Sequence, residues 1–344
     1  MLFLFIAFMF FCLYGISFVN ASSYNDDFLS RKRTTMINGI FVVIIVFSHF
    51  NSYVRYTNAL DIAYNKTILG IGQLMVTTFF FYSGYGIYES IKKNGEKYID
   101  GFLKKRFLKV FVSFALAVML YLILNLILVK ETYSLRHILL AFTGWTSIGN
   151  SNWFIFATFY LYLATYTAFR LFRRSSIDGL MLLTILTLLY IYVVRHLKAG
   201  YWVDTVICYN LGMAVSHYKN KVISFISCSS HYVLLFIITA IVFLLCYANK
   251  GNYIVFELLS TSFVTLILLT TFKVSIGNSI LYWLGKNTFN IYILQRISYT
   301  VFGRINFISS NIYLYFAASL AGTLVLVLMF DRLLNGVYKL LRIA

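Results

Sequence analysis

Apolar runs long enough to cross a bilayer follow one another from one end of the chain to the other, and no proline interrupts any of them. A hydrocarbon core about 30 Å thick takes about 20 helical residues. Backbone amides in lipid must be satisfied within a helix or a closed barrel, so runs of this length read as helices. They fall at about 1–20, 35–54, 67–90, 107–129, 152–172, 179–195, 202–217, 231–248, 253–272, 280–302 and 311–333. The fold class is therefore all-α: a polytopic integral membrane helical bundle of about eleven transmembrane helices. No basic residue precedes the first run, which lacks the charged start of a cleaved signal and reads as retained. The connectors are too short to fold alone, so the expected organisation is an extra N-terminal helix over 1–21 and one membrane domain over 34–335. With kinks left to glycine or bulges, long and mostly unbroken helices are expected.

The formal net charge of +18 bears first on topology, because Lys and Arg accumulate in short cytoplasmic loops. Residues Lys92 to Lys109 carry seven basic residues against two acids and fix one loop inside. Alternation then puts the N-terminus outside and the C-terminus in the cytoplasm. The 34 Phe and 28 Tyr suit lipid-facing and interfacial positions, and no basic stretch is interleaved with aromatics outside a span, so nucleic acid is not a partner. Cys12, Cys208, Cys228 and Cys246 lie in or beside apolar runs without metal-type spacing, and buried thiols are expected.

Within this apolar chain the helix from Thr34 to Asn51 carries His49 after the unbroken run Ile40 to Phe47. An ionisable side chain at membrane depth is costly and normally faces the bundle interior, where it serves chemistry or transport. Asn38 lies eleven residues earlier, on the same face and about 16 Å away. On the inferred topology His49 sits in the outer half of the bilayer, and Arg31 and Arg33 lie at the cytoplasmic start of its helix. Asp61 and Glu257 are the acids that could partner the imidazole, the other possibility being a loop or helix-end position. Ser48 and Asn38 stand on the same helix as His49, Ser48 as a lining residue of the site and Asn38 as a polar lining residue or an interhelical hydrogen bond. Ser83 either lines the site or belongs, with Gly84, to a close helix crossing. Trp153 reads as an interfacial anchor or as a platform for a sugar.

Six segments together resemble the acyltransferase 3 family, membrane enzymes that O-acylate surface carbohydrates. They are Gly39-Ile40 through His49, Phe80-Phe81-Tyr82-Ser83-Gly84-Tyr85, Phe102 to Lys109, Asn152-Trp153-Phe154-Ile155, Leu211-Gly212-Met213, and Trp283 through Tyr292. Many relatives carry a basic residue at the position of Asn38, and often a histidine at that of Gln295. The resemblance covers almost the whole chain from Thr34 and implies a ten-helix core, with the first run as an addition. It implies transfer of an acyl group, most often acetyl, from acetyl-CoA on the cytoplasmic side to a hydroxyl of a surface polysaccharide or its lipid-linked oligosaccharide precursor. It implies a bacterial plasma or inner membrane, no bound cofactor, and acyl-CoA as donor substrate.

The residues agree with that chemistry. A histidine near a sugar hydroxyl can act as general base, or can take the acyl group itself. Arg31, Arg33, Lys104, Lys105 and Arg106 would suit the phosphates of coenzyme A, though Lys104 to Arg106 serve topology equally well. The competing class is a transporter or flippase of a carbohydrate or lipid-linked carbohydrate. Such carriers often show internal repeats or broken helix pairs, and no repeat is visible in the chain.

Overall fold

The computed structural model describes residues 1–20 and 23–343; Ala21, Ser22, at the start of the polar connector, and Ala344 lie outside the described residues. The helices of eight residues or more are α1 (Leu2–Leu13), α2 (Arg31–Phe50), α3 (Ala59–Ile71), α4 (Leu74–Asn94), α5 (Leu108–Leu124), α6 (Leu135–Phe142), α7 (Trp153–Leu171), α8 (Ser176–Leu197), α9 (Ile207–His217), α10 (Lys219–Ser227), α11 (Ser229–Ala248), α12 (Tyr253–Lys273), α13 (Ser279–Lys286), α14 (Thr288–Phe302) and α15 (Ile312–Leu340). The chain is an all-α multi-pass membrane bundle. Among the described residues eight stretches are long and apolar enough to cross: α2, α3 with α4, α5 with its flanking turns, α7, α8, α11, α12 and α15.

The count differs from eleven at three places, each with a local cause. Helix α1 spans only 12 residues, about 18 Å. The chain beyond it turns at Gly15 (φ +83°), and Ser17–Phe18 pairs antiparallel with Val274–Ser275 after α12. The run at 202–217 is regular only in α9, 11 residues long, because a 3-10 turn at Gly200–Trp202 precedes it. The run at 280–302 divides at Asn287. There Asn287 Nδ2 donates to the Trp283 carbonyl (2.9 Å) and Thr288 Oγ1 to that of Gly285 (2.9 Å), side-chain bonds that compete with the helical ladder.

The helices are also less continuous than expected. The third run is α3 and α4 with a break at Gly72–Gln73, and π-helical turns at Leu103–Phe107 and Asn125–Val129 flank α5. Cys12, Cys208 and Cys246 are buried, but Cys228 is exposed in the turn between α10 and α11.

Two glycine-mediated crossings set the interior. A Cβ on Gly39 of α2 would strike the Leu281 carbonyl of α13, and one on Gly285 of α13 would strike the Thr35 carbonyl of α2. The second crossing repeats this reciprocity: Gly84 of α4 faces the Tyr209 carbonyl of α9, and Gly212 of α9 faces that of Phe81. Backbone therefore meets backbone in both pairs, an approach that only a missing side chain permits. Helix α2 is apolar and buried nearly all round, as suits a central element. Phe47 stacks on Phe316 at 4.5 Å and meets Phe5 of α1 edge-on at 5.4 Å.

Candidate active site

His49 stands in the last turn of α2, and its Nδ1 takes the Gln295 Nε2–H at 2.9 Å. Gln295 is completely buried on α14, where the same nitrogen also reaches the Tyr292 carbonyl at 3.2 Å. Its oxygen accepts from Tyr299 Oη at 3.1 Å, a hydroxyl that also lies 3.0 Å from the Val46 carbonyl. Tyr299 is in turn held by Tyr315, whose hydroxyl donates to the Tyr299 carbonyl at 2.7 Å. The imidazole is thus gripped through Nδ1 by a buried polar chain. Among the described residues no protein group bonds its Nε2.

Beside this arrangement runs a cavity of about 220 Å³, walled by α2, α4, α5, α7, α9, α13 and α14. Its sides are mostly apolar, with Phe79, Phe80, Phe154 and Leu161. Asn38, Ser83 and Lys286 line it toward the Arg31 end of α2, and Tyr292 lines it toward His49. Lys286 and Tyr292 are six residues apart, on either side of the division at Asn287. Two polar atoms on this wall are buried without a hydrogen-bond partner, Asn38 Oδ1 and Tyr292 Oη. Such atoms cost about 1–3 kcal/mol each while unmet, which points to a ligand that meets them. The Tyr292 ring is 5.7 Å from the imidazole, so the cavity ends against the histidine's neighbour.

At the Arg31 end the cavity shares Val110, Lys286 and Phe289 with a wider recess of about 690 Å³ that also holds Lys109, Asn290 and Asp331. Arg106 donates through Nε to Tyr98 Oη at 3.1 Å and stands within electrostatic reach of Tyr162 and Tyr209, both of which line the cavity. A narrow apolar slot thus opens into a basic vestibule.

Of the residues singled out from sequence, Asn38 and Ser83 line this slot; Arg106 stands within reach of the phenols on its wall, and His49 lies beyond Tyr292 without lining it. Ser83 Oγ is 3.3 Å from Tyr162 Oη, while its neighbour Gly84 makes the crossing with α9; the Ser-Gly pair does both jobs. The acids go elsewhere. Asp61 bonds the Met1 amine at 2.8 Å and takes the Asn58 Nδ2–H at 2.8 Å in the first turn of α3. Glu257 accepts from Tyr253 Oη at 2.8 Å within α12. The side chain that touches His49 is instead the neutral Gln295. Ser48 packs at the break between α3 and α4, where a Cβ on Gly72 would meet its hydroxyl. Trp153 contacts Phe154 and Tyr201 edge-on at 6.1 and 6.0 Å.

Among the basic residues, Arg33 pairs with Asp27 at 2.9 Å, while Arg31, Lys104 and Lys105 are exposed away from the slot. Lys286 and Tyr292 lie in the segment Trp283 through Tyr292 that carries part of the resemblance, but were not singled out as site residues. The available signal was an ammonium inside an otherwise apolar run.

A buried histidine beside a slot with a basic mouth defines a membrane-embedded site built for a polar, largely apolar-stemmed ligand. Residues 36–331 match the acyltransferase domain of the acyltransferase 3 family, and the chain belongs to that family. A search of curated proteins and one of solved structures each found no significant match. The protein is therefore a membrane acyltransferase.

Proposed function

We propose that the enzyme moves an acyl group, acetyl in the simplest case, from acyl-CoA to a hydroxyl of a surface polysaccharide or its lipid-linked precursor, with His49 as the reactive base. The observation that carries this reading is the slot itself. It runs from a basic mouth to the neighbourhood of the imidazole, and it carries unmet polar atoms at both levels. Coenzyme A has the matching plan: phosphates at one end, a slender arm with amide groups, and a thioester at the tip.

In this reading Lys286, Arg106 and Lys109 hold the phosphates as charge-assisted hydrogen-bond donors. Asn38 Oδ1 accepts from an amide N–H of the arm. The donor approaches from the cytoplasmic, Arg31 end and the acceptor from the opposite face. As the acceptor oxygen attacks the thioester carbon, its proton passes to His49 Nε2, which is free to take it when the Gln295 amide presents its oxygen to Nδ1–H. The carbon–sulfur bond then breaks, and the leaving sulfur takes that proton from the imidazolium, giving an ester and free coenzyme A. Base catalysis of this kind contributes about 10² to 10⁴ in rate. A route through an acyl-histidine gives the same products and differs in ping-pong kinetics.

The test compares surface-polysaccharide ester content in cells carrying the intact chain, a deletion, and His49→Ala at equal membrane abundance. Loss of ester in both altered strains, with the polymer still reaching the surface, supports the assignment. Persistent acetylation with failed export overturns it in favour of a carrier.

A further inference from the structure

We infer that the Tyr292 hydroxyl is the hydrogen-bond donor to the acyl oxygen during attack on the thioester, an inference that rests on the acyl-transfer reading above. The side chain is 2% exposed, and its hydroxyl makes no hydrogen bond of normal geometry. Ser151 stands beside it; its Oγ accepts the Arg296 Nε–H at 2.9 Å and keeps its own O–H to turn toward the phenol oxygen, which leaves the phenol proton for an arriving acceptor. A tyrosine whose hydroxyl merely completed the packing would be expected to have found a partner. A buried phenol left unmet at the wall of a ligand-sized slot is poised for a group that arrives with the ligand.

Its position suits the oxygen of the reacting carbonyl. The Tyr292 ring lies 5.7 Å from the imidazole of His49 and 5.3 Å from Phe154, which lines the same slot. Donor and base are therefore neighbours at one end of the slot, Tyr292 on its wall and His49 beyond it, the order in which an acyl oxygen and an acceptor hydroxyl would be met. The slot walls are mostly apolar, and the Arg296 guanidinium stands within electrostatic reach of both rings, so a hydrogen bond to developing negative charge is stronger there than in water.

The step balances without any other reactant. The acceptor oxygen forms the new bond to carbon, the carbonyl pair moves onto oxygen, and the Tyr292 O–H stabilises that alkoxide without giving up its proton. When the C=O bond reforms, the carbon–sulfur bond breaks and the proton held by His49 goes to sulfur.

The experiment uses the full chain in membrane vesicles, with acetyl-CoA as donor and surface polysaccharide purified from a deletion strain as acceptor. Wild type, Tyr292→Phe and His49→Ala are compared for kcat, for the acetyl-CoA KM, and for thermal unfolding in detergent. Removing one such donor lowers kcat by about 10²-fold or more. That loss is expected in Tyr292→Phe, with KM within about 2-fold of wild type and an unfolding midpoint unchanged or raised, because no resting-state bond is removed. A kcat within about 3-fold of wild type, while His49→Ala abolishes turnover, overturns the role of Tyr292 and leaves the acyl-transfer reading standing. A loss of kcat accompanied by a lower midpoint makes the hydroxyl structural and also overturns it. No acetyl transfer by the wild type overturns both.

Discussion

Gln295 holds His49 by its Nδ1 at 2.9 Å, and Tyr299 holds the other end of the same amide at 3.1 Å. With its nitrogen toward the ring, the amide favours the imidazole tautomer that carries the proton on Nε2. With its oxygen toward the ring, it accepts from Nδ1–H and frees Nε2 to take a proton. Tyr299 accommodates the second arrangement, since its oxygen can accept from the amide while its proton goes to the Val46 carbonyl at 3.0 Å, at the cost of the amide's bond to the Tyr292 carbonyl. The amide is therefore a two-position holder for the ring, and its orientation decides whether His49 can act as a base.

Replacing Gln295 should consequently act on turnover through the imidazole. Gln295→Leu should lower kcat by about 10- to 100-fold, somewhat less than the full worth of a general base. Gln295→Glu, which can accept from Nδ1–H, should be at least about 10-fold faster than the leucine variant. Steady-state kinetics with acetyl-CoA check this. Equal rates for the leucine and glutamate variants would show that the amide does not orient the ring.

The two glycine crossings make a prediction about stability. Gly84→Ala puts a methyl group on the Tyr209 carbonyl and should destabilise by about 1–3 kcal/mol, the usual cost of overpacking. Gly86 lies two residues further along α4, with nothing within 4 Å of a Cβ built on it. Gly86→Ala should leave the protein as stable, or more so by up to about 1 kcal/mol, because alanine favours helix. Thermal unfolding in detergent separates the two, and equal midpoints would remove the crossing from the account.

The class of fold and the histidine were legible because both rest on local signals: run length, and one ionisable group in an apolar stretch. Asn38 could be placed on the face of His49 by helical periodicity alone. The break at Asn287 was not legible, since it arises when two neighbouring side chains capture carbonyls of the preceding turn. The partner of His49 was sought among acids, as charge pairing suggests, whereas tertiary packing supplies a neutral amide from a helix 246 residues away. Positive charges in one short stretch look alike in sequence. All three are exposed, and only the fold separates Arg106, whose Nε bonds the Tyr98 hydroxyl within reach of the slot phenols, from Lys104 and Lys105.

Because Glu257 is bonded to Tyr253 and makes no contact with the imidazole, Glu257→Gln should keep kcat within about 2-fold of wild type; a carboxylate that oriented His49 would be worth far more. The glutamine can still accept the Tyr253 hydroxyl through its amide oxygen, so the fold is preserved. A loss of 10² or more, about 2.7 kcal/mol, would mean that α12 carries part of the catalytic apparatus.

The basic mouth of the slot gives the sharpest division among similar residues. Lys286 lines both the slot and the vestibule, with its ammonium 4.7 Å from the Tyr282 ring, and among the described residues it makes no salt bridge. If it meets a phosphate of the donor, Lys286→Gln should raise the acetyl-CoA KM by about 10-fold, equivalent to about 1.4 kcal/mol. Arg106→Gln should act in the same direction, and both effects should shrink as salt rises and screens the exposed charges. Lys104→Gln and Lys105→Gln remove the same charge from the same basic stretch, so a general loss of surface potential would affect all four variants alike. A direct contact would leave the KM of the Lys104 and Lys105 variants within about 2-fold of wild type, because exposed and unpaired charges contribute little. Measuring KM for the four variants at two salt concentrations therefore distinguishes a phosphate clamp from diffuse attraction, and a uniform response would remove Lys286 and Arg106 from the donor site.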